Sequence, residues 1–134
     1  MSDFSHIDDK GQAKMVDVTD KEVSERKAVA TGKVLMNPET LQRIKSRNIE
    51  KGAVLETSRI AAVMAVKNTP DLIPMCHQLL ISGIDVEFEL VTDTSGNNSG
   101  DKSEIIINVT TRTSGKTGVE MEALTGVSAA ALTI

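Results

Sequence analysis

Hydrophobic and polar residues alternate in two stretches of the chain. Ile84, Val86, Phe88 and Leu90 interleave with Asp85, Glu87 and Glu89, and Ile105, Ile107 and Val109 interleave with Ile106, Asn108 and Thr110. Period two sorts side chains onto the two faces of a strand, and residues 94–102 between them, TSGNNSGDK, are turn formers. The pattern predicts an antiparallel hairpin with one buried face. Upstream, residues 27–36 read as a further strand, and Asn37-Pro38-Glu39 opens a helix with Asn as N-cap and Pro at the first helical position. That helix closes near Arg43, Lys45 and Arg47, cations suited to the negative end of its dipole. A second helix is expected from about 52 to 67, with Ile60, Val63, Met64 and Lys67 as its inward stripe, and Pro70 and Pro74 forbid its continuation. The last element, 118–134, is an alanine-rich helix with Met121, Leu124, Val127, Ala131 and Leu132 at helical spacing.

The order strand, paired helices, strand, strand, helix is that of a split βαββαβ unit without its last strand. It predicts an α+β fold in which helices pack on one face of an antiparallel sheet. The chain of 134 residues fits one domain, 1–134. It stops at Ile134 in mid-pattern, without a Gly cap, closing cation or polar turn, so further residues and a further strand are expected beyond it. An open sheet edge and a small aliphatic core predict a homo-oligomer.

Composition narrows the function. Phe4 and Phe88 are the only aromatic residues, so a sheet that stacks RNA bases is a poor reading, and the net charge of −4 argues against binding nucleic acid or anionic lipid through charge alone. The charge is unevenly spread. Ten of the fifteen basic residues lie between Lys10 and Lys51, which is where an anionic ligand would be met. Cys76 is the lone cysteine, excluding an internal disulfide and a Cys-cluster zinc site and fitting the cytoplasm. No signal-peptide pattern and no membrane-length apolar run is seen.

Four constellations carry candidate chemistry. Pro74-Met75-Cys76-His77 follows a helix and precedes a strand, and His77 is either a proton carrier or a hydrogen-bonded structural histidine. A metal site is not expected there, since Cys76 and His77 point apart on an extended segment and His6 is the only other imidazole. Glu120 and Glu122 stand at the start of the last helix; they diverge if the segment is helical and share a side if it is extended, and stabilisation of the helix dipole is the plainer explanation. Ser114-Gly115-Lys116-Thr117-Gly118 resembles a phosphate loop only superficially, lacking its full spacing. Glu50-Lys51-Gly52 precedes the second helix, where Lys51 and helix amides suit a phosphate, with Arg26 and Lys67 as further cations.

Taken together, Lys14-Met15-Val16-Asp17-Val18, Lys51-Gly52, Asp71 through His77 and Lys116 through Thr125 closely resemble the family of molybdenum cofactor biosynthesis protein C, the cyclic pyranopterin monophosphate synthases. The resemblance runs from His6 to Ile134. It implies a ferredoxin-like fold and a cytoplasmic homohexamer, a trimer of dimers with sites at dimer interfaces. The implied activity is that of a lyase converting a cyclised dihydroguanosine triphosphate to cyclic pyranopterin monophosphate and pyrophosphate, with no cofactor. Carried over by position, Lys51, His77 and Glu120 are catalytic; Met75, Cys76, His77, Met121 and Glu122 contact substrate; and Asp17, Arg26 and Lys67 lie near it. Gln78 stands where the family usually has Pro, and the family's Tyr-Asp-Met-Cys-Lys-like stretch, with a catalytic Asp and Lys, falls beyond Ile134. The chain is therefore expected to bind this substrate and to convert it very slowly or not at all. The alternative is a noncatalytic small-ligand-binding or assembly domain of the same fold.

Overall fold

The computed structural model describes residues 4–46, 53–92 and 102–134. Its elements are β1 (Ser24–Met36), α1 (Pro38–Lys45), α2 (Val54–Lys67), α3 (Thr69–Leu72), β2 (Ile81–Val91), β3 (Ser103–Gly115) and α4 (Glu120–Thr133). The expected order holds, with one addition. Pro70 does more than end α2: it sits in the first turn of α3, where its missing N–H leaves no bond unmade, and the Ile73 amide closes that turn on Thr69 O at 2.9 Å. Strand β1 starts at Ser24 rather than Lys27 because Ser24, Glu25 and Arg26 still find partners in Gly115, Ser114 and Thr113. Residues 94–101 of the expected turn lie outside the described part.

The sheet has the order β1-β3-β2, antiparallel throughout, as a split βαββαβ unit without its fourth strand requires. Central β3 sends Ser103, Ile105, Ile107, Val109, Thr111 and Thr113 to the helix side, all buried. Val109 lies between Ala30 of β1 and Val86 of β2, and burial of each such branched side chain contributes roughly 1.5–3 kcal/mol. Phe88, opposite Ile107, also faces the helices, beneath the Arg59 guanidinium at 5.3 Å from the ring centroid. Arg59 donates to Val86 O and pairs with Glu56, which ties α2 to β2. The other sheet face carries Val29, Leu35 and the pairs Lys33–Glu104 and Arg112–Asp85, and no described helix covers it.

The predicted helix stripes hold in part, since Val63, Val127 and Ala131 pack on the core, and need correction at their other positions. In α2 Ile60 and Met64 are 61% and 58% exposed and Lys67 is exposed; the buried line is Ser58, Ala62 and Val66. In α4 Met121, Leu124 and Leu132 are exposed, and Glu122, Ala123, Gly126, Val127 and Ala130 turn inward. The reason is steric. Helix α4 lies on β1 and β3 with α2 against its flank, and the contact is so close that Gly126 meets Val66, Val109 and the Ala62 carbonyl, while Gly32 of β1 makes room for Val127. Small residues allow this approach, so residue size selects the buried face in helices that are apolar on several sides. Among the described residues no helix is long and apolar enough to cross a membrane.

A methyl group at position 126 would lie 2.8 Å from Val66 Cγ2 and 3.1 Å from Val109 Cγ1. Overpacking of this kind costs about 1–3 kcal/mol, against about 1 kcal/mol returned by removing Gly from a helix interior. Gly126→Ala is expected to lose about 0–2 kcal/mol net and to melt up to about 8 °C below the parent in a thermal scan; a melting point above the parent's would show that the contact has slack.

Candidate active site

Strand β3 brings the two longer sequence motifs together. Its buried hydroxyls have no water to bond and turn to neighbouring carbonyls: Thr113 Oγ1 donates to Leu80 O at 2.6 Å and Thr111 Oγ1 donates to Val119 O at 3.0 Å. Leu80 ends the segment holding Met75, Cys76 and His77, and Val119 is the residue on which α4 begins. Two threonines two positions apart on one strand thus fix both segments. Arg26 Nε adds a bond to Gly115 O at 3.2 Å at the end of the same strand.

Between these segments lies a cavity of about 260 Å³. Met75, Cys76 and His77 form one wall, and Gly118, Glu120, Met121 and Glu122 a second. The third is the amino-terminal segment, with Ser5, His6, Val16, Val18 and Lys21. His77 Nε2 lies 2.9 Å from Val16 O. A carbonyl only accepts, so Nε2 carries the proton, and Nδ1 of the neutral ring keeps the lone pair of a base.

The two glutamates were expected to diverge in a helical segment, and the segment is helical, yet both line the cavity. Glu120 occupies the first helical position and folds back over Gly118, where a Cβ would collide with its carboxylate. Glu122 points inward and is 3% exposed. Burial pushes the Glu122 carboxyl above its ordinary range, and the neighbouring Glu120 charge adds to the rise against the lowering effect of a backbone N–H bond. Burial likewise raises the Cys76 thiol, with Glu122 contributing. A carboxyl that favours its proton thus shares a cavity with an imidazole whose free nitrogen can take one. Such a pair can give and accept protons across a bound ligand.

The remaining candidates sit elsewhere. Asp17 is exposed and its carboxylate caps a turn, taking bonds from Thr19 Oγ1 at 2.5 Å and Thr19 N at 2.9 Å that hold it below the usual range. Arg26 lines a second, larger cleft of about 460 Å³ at the sheet end, with Lys27 and Arg112. Lys67 is exposed in the last turn of α2 and lines neither. Lys51 and Gly52 lie outside the described residues. The larger cleft collects cations, but the smaller one holds the proton-handling groups, and those decide where chemistry is possible. Thr111 and Thr113 were not singled out in the sequence, although they continue the inward alternation of Ile105, Ile107 and Val109, and a hydroxyl on a buried row needs a partner.

A three-stranded antiparallel sheet with helices on one face and an acid–base cavity at the entry to its last helix defines a ferredoxin-like α+β domain suited to proton-transfer chemistry. The chain belongs to the MoaC family, whose model matches residues 15–134. It is 52% identical over 134 residues to the probable cyclic pyranopterin monophosphate synthase of Methanococcoides burtonii, covering all of this chain and 77% of that protein. It is 53% identical over 134 residues to the cyclic pyranopterin monophosphate synthase of Roseiflexus sp. strain RS-1, covering all of this chain and 80% of that one. With the enzyme of the same name from Clostridium perfringens strain 13 the identity is 52% over 131 residues, 98% of this chain and 78% of the relative. The resemblance carried by the sequence motifs is thereby confirmed at the level of the family.

The Glu122 shift has a consequence for stability. Between the ordinary carboxyl value of 4.5 and its raised folded value, the folded chain keeps a proton that the unfolded chain has released, so stability declines as pH rises through that window and the penalty stays in full above it. Glu122→Gln removes the penalty. The stability of this variant relative to the parent is expected to grow between pH 4 and pH 7 in paired thermal melts; a difference independent of pH would show that Glu122 titrates normally in the folded state.

Proposed function

We propose that the protein is a cyclic pyranopterin monophosphate synthase, a lyase of molybdenum cofactor biosynthesis that converts a cyclised dihydroguanosine triphosphate to cyclic pyranopterin monophosphate with release of pyrophosphate. The observation that carries this reading is the convergence of His77, Glu120 and Glu122 in one cavity, built by the two segments that carry the family's motifs. Rearranging the rings of such a substrate requires groups that both donate and accept protons near neutral pH. His77 and Glu120 serve as proton carriers, Glu122 as a contact to the pterin part, and Met75, Cys76 and Met121 as the walls around it. Lys51 is a further proton carrier on the family likeness. Arg26, Lys67 and Asp17 act at a distance or through a second copy of the chain. The working form is a cytoplasmic homohexamer, a trimer of dimers.

The test is a discontinuous assay for the pyranopterin product. His77→Asn and Lys51→Ala are each expected to lower kcat about 10²–10⁴-fold, the usual contribution of a positioned acid or base, with folding unchanged. Lys33→Ala, on the other sheet face and outside the cavity, is expected to leave kcat within a few-fold. Tight binding of the triphosphate by the parent with no product would instead support the noncatalytic ligand-binding reading.

A further inference from the structure

The first residues of the described chain form a small built unit. Asp8 Oδ1 accepts the amides of Lys10 and Gln12 at 2.9 Å each, Gly11 takes a φ of 73°, and the Gly11 amide bonds Asp8 O at 2.9 Å, which makes a tight turn. The Asp8 amide donates to Gln12 O and the Lys14 amide to His6 O, both at 2.8 Å, and Ile7 bridges Ala13. His6 therefore stands at the base of a hairpin with a fixed register. The chain beyond it is held to the site at two points, through His77 on Val16 O and through Lys116 Nζ on Thr19 O, both at 2.9 Å.

Charge divides the cavity these residues close. The α4 wall carries Glu120 and Glu122, whereas the amino-terminal wall carries His6 and Lys21. Among the described residues no carboxylate pairs with either side chain. A polyanion bound here is repelled from the Glu120 carboxylate and drawn to the Lys21 ammonium on the opposite wall, where the His6 imidazole offers a hydrogen bond. We propose that His6 and Lys21 grip the phosphate chain of the substrate, so that the amino-terminal hairpin orients the ligand with its ring system toward His77, Glu120 and Glu122. The proposal rests on the reading above insofar as it takes the ligand to carry a phosphate chain. It assigns binding contacts to two residues that no motif reading had placed in the site.

The experiment compares the parent with His6→Gln, Lys21→Met and the double variant, using inorganic tripolyphosphate as a calorimetric probe and the product assay for turnover. Both side chains are exposed, so the variants should match the parent in thermal melts. Each single change is expected to weaken tripolyphosphate binding and raise KM about three- to tenfold, as loss of one hydrogen-bonded phosphate contact does, with kcat within about twofold. Affinity for the cyclic monophosphate product should fall less. Unchanged tripolyphosphate affinity and KM in the double variant would overturn the proposal even if the parent turns substrate over, and so would failure of the parent to bind tripolyphosphate. Weakened tripolyphosphate binding in a protein that makes no product would uphold the phosphate wall and count against the proposed reaction alone.

Discussion

The architecture depends on how closely α4 can lie against the sheet and against α2. At Gly126 the helix backbone approaches Val66, Val109 and the Ala62 carbonyl, and at Gly32 the sheet yields to Val127. With Ala123 and Ala130 also buried, three of the five buried positions of α4 are Gly or Ala. Interiors packed at crystal-like density transmit position, since a side chain added at such a contact must displace something. The depth at which α4 sits is fixed by these residues, and with it the place where its first turn opens.

From that placement the site follows by short bonds. Thr111 holds the residue before Glu120, and Thr113 holds the end of the segment bearing His77. Both hydroxyls lie on the buried row of the central strand, the most constrained strand of the three because it is paired on both sides. The cavity inherits that rigidity, since its two chemical walls are hung from one strand and not from flexible loops of independent origin. Preorganisation of this kind sets the Glu122 carboxyl and the His77 imidazole in one cavity without a loop that must reorder.

Strand content, element order and the motif segments were legible in the sequence because alternation along Ile84 to Leu90 and Ile105 to Val109 leaves little choice of face, and because Asn37-Pro38 marks a helix start in a local way. The helix faces were not. Ile60 and Met64 are more apolar than Ser58 and Ala62, so a hydrophobic stripe drawn through α2 selects the side that the fold leaves exposed. Packing there is decided by size, a property that appears only when the partner surface is known. The site was legible in part for a similar reason. Met75 to His77 and Glu120 to Glu122 converge on one cavity, whereas Arg26 and Lys67, grouped with them for their charge, are placed by strand register and helix length in other surroundings.

Gly118 shows what that arrangement asks of a single backbone position. Its φ lies outside the left-handed region, so the backbone itself would accept alanine, and the exchange would gain about 0.4–1 kcal/mol by narrowing the unfolded ensemble. What it would displace is the Glu120 carboxylate, which occupies the space a β-carbon needs. Stability and chemistry therefore pull in opposite directions at this residue: a search guided by melting temperature alone would choose the alanine and in doing so evict the carboxylate from its seat.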